Sequence, residues 1–461
     1  MFRSFYLFAF SALIALVACA SPATPTAVPT PNAPVTIAPV IAPTPTPARP
    51  NLNVLATTTF IADIAQNVAG NRLKVNALLP LGVDPHAFEP TPSDLKKVAD
   101  AQVLITNGSG FEEFLDKLLK NAGGTRTLIE SSAGLTSRKP KEGEQPEMSD
   151  AERADAICAG IGSEKPQVAS SGKAANTATD LPAEEGVFDV ALTKQADGTF
   201  AGFVKFKAHD EGDNHISIAA GKVVISTAKD NQKIEIEKSV ALKCGGLAQG
   251  NIVELEHEVA YVLALTGFKT DKARLAIGPV GGHQHAGDPH FWFDPNHVVK
   301  YVENIRDGLS QADSAGASIY AANATAYIAK LKELDQQIVE QVKALPADRR
   351  LMVTDHDTFG YFADRYGFRV VGMLVPSIST GASPSAQQVT RLVQQIKATK
   401  ARAIFLEAST NPQLAQQIAK EAGIKVVTGL QTHSITEANG PAPTYIEMMK
   451  LNTRLIVDAL K

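Results

Sequence analysis

Cysteine is scarce in this 461-residue chain, with three in all, and there is a single tryptophan, Trp292. Three cysteines cannot build a disulfide scaffold, and the odd number raises the question of what the third one does. Charge of one sign is missing as well. The 44 Lys and Arg nearly balance 48 Asp and Glu, for a net charge of -4, and no basic block interrupts the chain. The electrostatic footprint of a nucleic-acid binder is therefore absent. Two catalytic signatures are also missing: there is no His-Glu-x-x-His helix and no Gly-x-Ser-x-Gly elbow, the usual homes of a positioned base or nucleophile. Hydrophobic residues, by contrast, make up 44% of the chain. That is enough for large buried cores in two or three domains and too much for a disordered tail protein.

The one long apolar run lies at the start. Residues 1–18 carry Arg3 and then an apolar stretch from Phe5 to Ala18, too short for a spanning helix and patterned as a secretory signal. It ends in Leu16-Val17-Ala18-Cys19, which resembles the lipobox of bacterial lipoproteins, where Cys19 would be lipidated and become the mature N-terminus. Ten of the 27 prolines then fall between Ala20 and Pro50. Such a stretch favours extended polyproline II, a semi-rigid spacer between a membrane surface and a folded body. Cys158 and Cys244 would sit in an export compartment where a disulfide persists. Pairing them would close a loop worth on the order of 4 kcal/mol. Their distance is a matter for the tertiary structure.

Beyond residue 50 strand-like and helical patterns alternate, predicting an α/β fold with parallel sheets. Strands are expected at Leu52–Thr58, Leu73–Pro80, Gln102–Asn107 and Thr125–Ile129, with helices around Phe60–Val68, Ser93–Ala101 and Phe111–Leu119. The alternation returns with strands near Leu351–Thr354, Arg369–Leu374, Ala401–Glu407 and Lys425–Leu430. Ser383 before Pro384, and Asn411 before Pro412, read as N-caps followed by proline at the first helical position. Apolar residues at spacings of three and four predict one long helix over about Ala317 to Leu345, a strut between two lobes. Residues 138–284 break the pattern. They open on a polar stretch and then become strand-rich, with turn signals at short intervals, as in a small β-sandwich or barrel. The expected organisation is a signal segment at 1–18, a lipidated Cys and linker at 19–50, a first lobe at 51–137 and 285–310, an inserted all-β domain at 138–284, a connecting helix at 311–346, and a second lobe at 347–461.

Four of the ten histidines sit in segments suited to holding a ligand. His86 follows a strand end in Asp84-Pro85-His86, His290 lies in Asp288-Pro289-His290-Phe291-Trp292, His356 follows the first strand of the second lobe in Asp355-His356-Asp357, and His433 follows the strand ending at Leu430. Open α/β sheets put their ligands at strand C-termini, and converging neutral imidazoles satisfy zinc's tetrahedral preference. Asp84, Asp288, Asp355 and Asp357 are candidates to accept the other ring N–H and fix the tautomer.

These strings, with the lipobox, the long helix, Phe405-Leu406-Glu407 and the closing Thr444-Tyr445-Ile446-Glu447-Met448-Met449, resemble the ZnuA/TroA-like family. Its members are zinc- or manganese-binding lipoproteins that feed ABC importers. The resemblance spans about residues 51–137 and 285–461. It implies a metal held between two lobes, with His86, His290 and His356 as three of its ligands. The family's fourth ligand is usually an Asp in a short Asp-Ser-Leu string. Here that string reads His433-Ser434-Ile435, which makes His433 the candidate and leaves Glu407 and Asp357 in reserve. Four histidines would suit Zn2+ better than Mn2+, which favours oxygen. The implied protein is an extracytoplasmic, lipid-anchored monomer that passes its ion to an ABC permease and has no nucleic-acid partner. Two competing readings are a zinc-dependent hydrolase using an open metal position and a metal-stabilised adhesin working through the insert. The insert stands where zinc-binding members often have a His-rich loop, and only His283 and His285 echo one. His209, His215 and His257 within it read either as solvated strand or turn histidines or as a second metal site.

Overall fold

A computed structural model describes residues 51–138, 141, 149–162, 165–208, 212–256, 258–280, 287–375, 384 and 386–461. The expected signal segment, Cys19, the proline-rich linker, Ser383, His209, His257, His283 and His285 lie outside the described residues. The first lobe is built from β1 (Val54–Ala56), α1 (Thr59–Ala69), β2 (Val75–Ala77), α2 (Pro92–Asp100), β3 (Val103–Thr106), α3 (Leu115–Ala122) and β4 (Thr127–Glu130). Its strands pair in the order β2-β1-β3-β4, all parallel. Local chemistry sets the boundaries. Thr91 and Asp94 close a reciprocal capping box at the start of α2, with Pro92 in its first turn.

The polar opening of the insert folds into a helix, α4 (Asp150–Ile161), so the expected all-β composition is corrected. Ser149 and Glu152 cap it, and Ile157 and Ile161 are its apolar anchors against Val240, Leu242 and Ile252. Twelve strands follow: β5 (Gln167–Ser170), β6 (Thr179–Asp180), β7 (Gly186–Ala191), β8 (Thr193–Lys194), β9 (Phe200–Lys207), β10 (Gly212–Ile218), β11 (Lys222–Thr227), β12 (Lys233–Ile234), β13 (Lys238–Ala241), β14 (Gln249–Leu255), β15 (Ala260–Phe268) and β16 (Lys272–Pro279). They form two mainly antiparallel sheets, ordered β13-β14-β10-β16-β7-β5 and β12-β11-β15-β9-β6 with β8 beside β9. Alternate residues of both, such as Phe188, Ile216 and Leu275 from one and Val204, Ile225 and Leu263 from the other, share one apolar core, the signature of a sandwich. A disulfide joins Cys158 of α4 to Cys244 after β13, with Cα atoms 5.6 Å apart.

The chain then returns to the first lobe through α5 (Pro295–Ala312), capped by Asp294 with Pro295 in its first turn, and enters α6 (Ala317–Lys343). The 27 residues of α6 extend roughly 40 Å at 1.5 Å per residue. Tyr320, Ala324, Tyr327, Leu331, Leu334, Ile338 and Val342 form its buried stripe. Asn323 donates to the carbonyl of Val68 in the first lobe at 3.0 Å, and Asp335 accepts from Arg365 in the second at 2.6 and 2.9 Å. The helix is thus a strut whose stripe belongs to one core drawn from both lobes.

The second lobe comprises β17 (Leu351–Thr354), α7 (Gly360–Tyr366), β18 (Arg369–Met373), α8 (Ala386–Thr399), β19 (Ala403–Glu407), α9 (Gln413–Ala422), β20 (Lys425–Leu430) and α10 (Tyr445–Leu460). Its parallel order, β18-β17-β19-β20, repeats that of the first lobe. Helix α9 begins one residue later than the Asn-Pro string predicts. Pro412 occupies the cap position, while Asn411 Oδ1 still accepts the Gln413 N–H at 3.1 Å.

Candidate metal centre

Loops of both lobes converge on the same space. His86 follows β2 on a turn of 3-10 helix, Pro85–Ala87, whose cap Asp84 accepts the His86 N–H at 3.0 Å. His290 enters along the return from the insert, just before the turn Phe291–Phe293. His356 directly follows β17, and His433 follows β20 by three residues. The structure brings these four histidines together. Their ligand-capable nitrogens lie within 4.8 Å of one another, and all four residues are buried.

The arrangement is nearly regular. The six ring-to-ring distances run from 5.0 to 5.9 Å, and four points with six similar separations are the corners of a tetrahedron. The Nε2 atoms of His433 and His290 face each other at 3.4 Å. A tetrahedral zinc with Zn–N bonds of about 2.0–2.1 Å sets its nitrogens about 3.3 Å apart. The Nε2 of His356 is buried without a hydrogen-bond partner among the described residues, a state that burial makes costly unless something else takes up the lone pair or proton.

Carboxylates stand behind the rings. Asp288 Oδ1 accepts from both the backbone N–H and Nδ1 of His290, at 2.9 and 2.8 Å. Asp355 Oδ1 does the same for His356, at 2.9 and 3.1 Å, while its Oδ2 accepts from the Glu407 N–H and the Thr410 hydroxyl. Glu407 Oε2 lies 3.0 Å from His433 Nδ1 and accepts from the Thr432 hydroxyl. Glu113 Oε1 lies 3.8 Å from His86 Nδ1. A carboxylate at Nδ1 holds the proton there and turns Nε2 inward as an acceptor. Glu407, expected as a reserve ligand, therefore stands behind His433, although with Asp355 and His356 it forms a second close group of ligand-capable atoms. Asp357 is buried but belongs to neither group; its charge falls on Asp288.

These placements set the proton affinities. Burial drives the His86 pKa down to about 4, against the pull of Glu113. Burial would lower His356 too, but the adjacent Asp355 carboxylate, then Glu407, lift it to about 9. Glu407 is buried, which alone would raise it, yet the His433 and His356 imidazoles hold it well below the usual carboxylate range. Burial, then repulsion from Asp357, pushes Asp288 well up.

Aromatic side chains wall the cage. Phe111 meets His86 edge-on with ring centres 5.2 Å apart and lies near His290 and His433, and Trp292 packs on His290. The Trp292 indole donates to the Thr432 carbonyl at 2.9 Å, and Ser434 Oγ accepts from the Gly82 N–H at 2.9 Å, so the loops carrying His433 are laced to the first lobe. Sequence reasoning missed Phe111, Glu113 and Thr432. The first two were expected inside a helix, but α3 starts at Leu115 because Glu112 turns back to accept from the Asn107 and Gly108 N–H groups. His215 lies in the insert, buried in β10, with Nδ1 2.9 Å from Ser217 Oγ and its pKa pushed down to about 4 by burial. It is a core histidine, neither solvated nor, among the described residues, part of a metal-capable group.

Two parallel-sheet lobes on a rigid strut, with a closed histidine cage between their strand ends, define a two-lobed solute-binding protein. The chain belongs to the family described as zinc-uptake complex component A, periplasmic, which matches residues 54–459. The manganese-binding lipoprotein MntA of Halalkalibacterium halodurans is 24% identical over 409 residues, covering 89% of this chain and 88% of its own. The zinc-binding protein AdcA of Streptococcus pyogenes serotype M6 is 36% identical over 172 residues, 37% of this chain and 33% of AdcA. In fold, the chain is similar to the solved periplasmic zinc-binding protein TroA of Treponema pallidum, with a TM-score of 0.53 at 18% identity over 89% of this chain and 99% of TroA.

Proposed function

We propose that this chain is the extracytoplasmic binding component of a metal ABC importer, that it captures Zn2+ with His86, His290, His356 and His433, and that it delivers the ion to the permease. The near-regular tetrahedron of buried imidazoles carries this reading, above all the 3.4 Å between two inward-facing Nε2 atoms. Four neutral nitrogen donors and no carboxylate in the cage favour zinc over manganese, which prefers oxygen. Four imidazoles also fill zinc's coordination, leaving no open position for a water or substrate as a hydrolase needs. The relative MntA is named for manganese and AdcA for zinc, so the choice of ion rests on this chain's own donors. Each lobe supplies two ligands. Parting the lobes would leave the ion two nitrogens on either side, which provides a way to release it at the permease.

No helix among the described residues is long and apolar enough to cross a membrane. Retention at the membrane would fall to a lipid on Cys19, with the proline-rich linker as spacer and the chain acting as a monomer. The deciding experiment is competitive Zn2+ and Mn2+ titration of the purified chain beside His433→Asp. The unaltered chain should bind one Zn2+ in preference to Mn2+, and the variant, by adding an oxygen donor, should shift that preference toward Mn2+ by about tenfold. Absence of stoichiometric zinc in the unaltered chain would end the reading; unaltered preference in the variant would remove His433 from the ligand set.

A further inference from the structure

The insert is threaded through the first lobe, yet the second lobe grips it. Arg138, where the insert begins, forms an isolated antiparallel bridge with Asp288, just past its end. Tyr361, on α7 of the second lobe, closes this junction. Its hydroxyl accepts the Arg138 N–H at 2.8 Å and donates to the Asp288 carbonyl at 2.7 Å. The Arg138 guanidinium, only 5% exposed, lies 3.0 Å from Asp364, whose other oxygen takes Lys141. Gly360 leaves the room for it, since a side chain there would run into the guanidinium. A second tie lies further along the insert. Arg391 of α8 donates at 2.8 Å to Glu152, the buried carboxylate that also closes the cap of α4. Among the described residues the apolar clusters of the insert hold no residue of either lobe, so its grip on the second lobe is polar.

We propose that the insert is a clasp across the two lobes, and that Tyr361 is a positioning residue that holds the His290 loop through this junction. The proposal rests on the reading of the four histidines as ligands and adds what keeps one of them in place. Asp288 is the link. Its carboxylate accepts from the backbone N–H and Nδ1 of His290, while its carbonyl takes the Tyr361 hydroxyl. The residue that orients a first-lobe imidazole is thus itself held by a second-lobe side chain. Parting the lobes on this side breaks the Tyr361 bonds and the pairs of Asp364 and Arg391, leaving buried polar groups without partners. The clasp therefore slows release of the ion. The coupling is reciprocal: whatever factor the closed clasp adds to zinc binding, bound zinc adds to closure of the clasp. Helix α4, which carries no ligand, then reports on occupancy of the cage.

Zinc release to an excess of chelator, followed by stopped flow, and amide hydrogen exchange test the clasp on the full chain. Tyr361→Phe removes one hydroxyl and should speed release by about fivefold, below the 10–100-fold typical of a direct outer partner of a ligand. Arg391→Glu sets like charge against Glu152 and should speed release by about threefold. In the unaltered chain zinc should slow hydrogen exchange across α4, and Arg391→Glu should abolish that protection. If Arg391→Glu unfolds the insert, seen as the loss of a thermal step, Arg391→Gln gives the same comparison with a smaller change. An unaltered release rate in Tyr361→Phe would overturn its positioning role. Exchange in α4 that zinc does not slow, or protection that survives loss of the Arg391 charge, would overturn the clasp. If the unaltered chain takes up no zinc at equilibrium, the proposed function fails; if it binds zinc while release and α4 exchange stay unmoved, only the clasp fails.

Discussion

The two lobes supply two imidazoles each to the cage and hold them in different ways. In the second lobe the support is a single connected unit. Asp355, at the end of β17, holds the His356 ring with one oxygen and the Glu407 backbone and Thr410 hydroxyl with the other, while Glu407, at the end of β19, backs His433. Adjacent parallel strands thus fix both rings through one another. In the first lobe the supports are separate. His290 leans on Asp288 in its own loop, while His86 relies on Glu113, brought in from a turn after β3 and partly open to solvent. The supports of the second lobe are thus cross-braced, while each ring of the first lobe leans on a carboxylate of its own. Preorganisation of this kind raises affinity.

Removing an imidazole tests the sharp end of that contrast. His356→Ala should weaken zinc binding by at least about 100-fold, more than the 10–100-fold typical of losing an outer partner, as read by competition with a fluorescent chelator. A smaller loss would place the ion elsewhere. The supports come next. Asp355→Asn, which disturbs both second-lobe rings, should cost on the order of 100-fold, and Asp288→Asn, which disturbs one, on the order of tenfold. Equal losses in the same competition assay would dissolve the distinction between the lobes.

Protons sharpen it further. With its pKa lifted to about 9, His356 is protonated in the metal-free protein at neutral pH, whereas His86, lowered to about 4, is not. An ion binding at His356 Nε2 must displace that proton, so affinity should rise by about tenfold per pH unit toward pH 9 and level off above it. Calorimetry at pH 7 in buffers of different ionisation enthalpy should find about one proton released per ion. Asp355→Asn should shrink this release by removing the charge that holds the proton. The smallest expected effect on binding belongs to the insert. A Cys158→Ser, Cys244→Ser variant should leave zinc affinity within about twofold, since α4 and its disulfide pack on strands of the insert. It should still lower the insert's stability by up to about 4 kcal/mol, visible as an earlier thermal unfolding step.

Much of this was legible in the chain. The Asp-Pro-His string occurs at Asp84 and again at Asp288, and in both places the Asp accepts the N–H of the His two residues on. This is a local Asx interaction that needs nothing from the rest of the fold. The strand at Leu351–Thr354 falls where its apolar run puts it, because an inner strand of a parallel sheet is buried on both faces and reads as such, whereas the edge strand at Lys425–Leu430 buries only Leu430. Helix α4 was not legible. Its buried Ile157 and Ile161 are set among small and charged residues, too sparse a stripe to reveal the face it presents to the sheet. Glu113 was not legible either, since nothing in its neighbours marks a side chain whose partner, His86, lies 27 residues away on another loop.

The sequence by itself determined the repertoire: where the elements run, which loops follow strand ends, and that imidazoles with nearby carboxylates were available. Periodicity and capping are local, and a local pattern survives without the fold. Only the tertiary structure decided that histidines at 86, 290, 356 and 433 meet at spacings that would suit one tetrahedral ion, that Glu407 stands behind His433, and that Cys158 reaches Cys244. Those facts depend on the order of strands in two sheets and on a strut that fixes the lobes against each other. Such long-range geometry comes from packing the whole core, so no short stretch of residues encodes it.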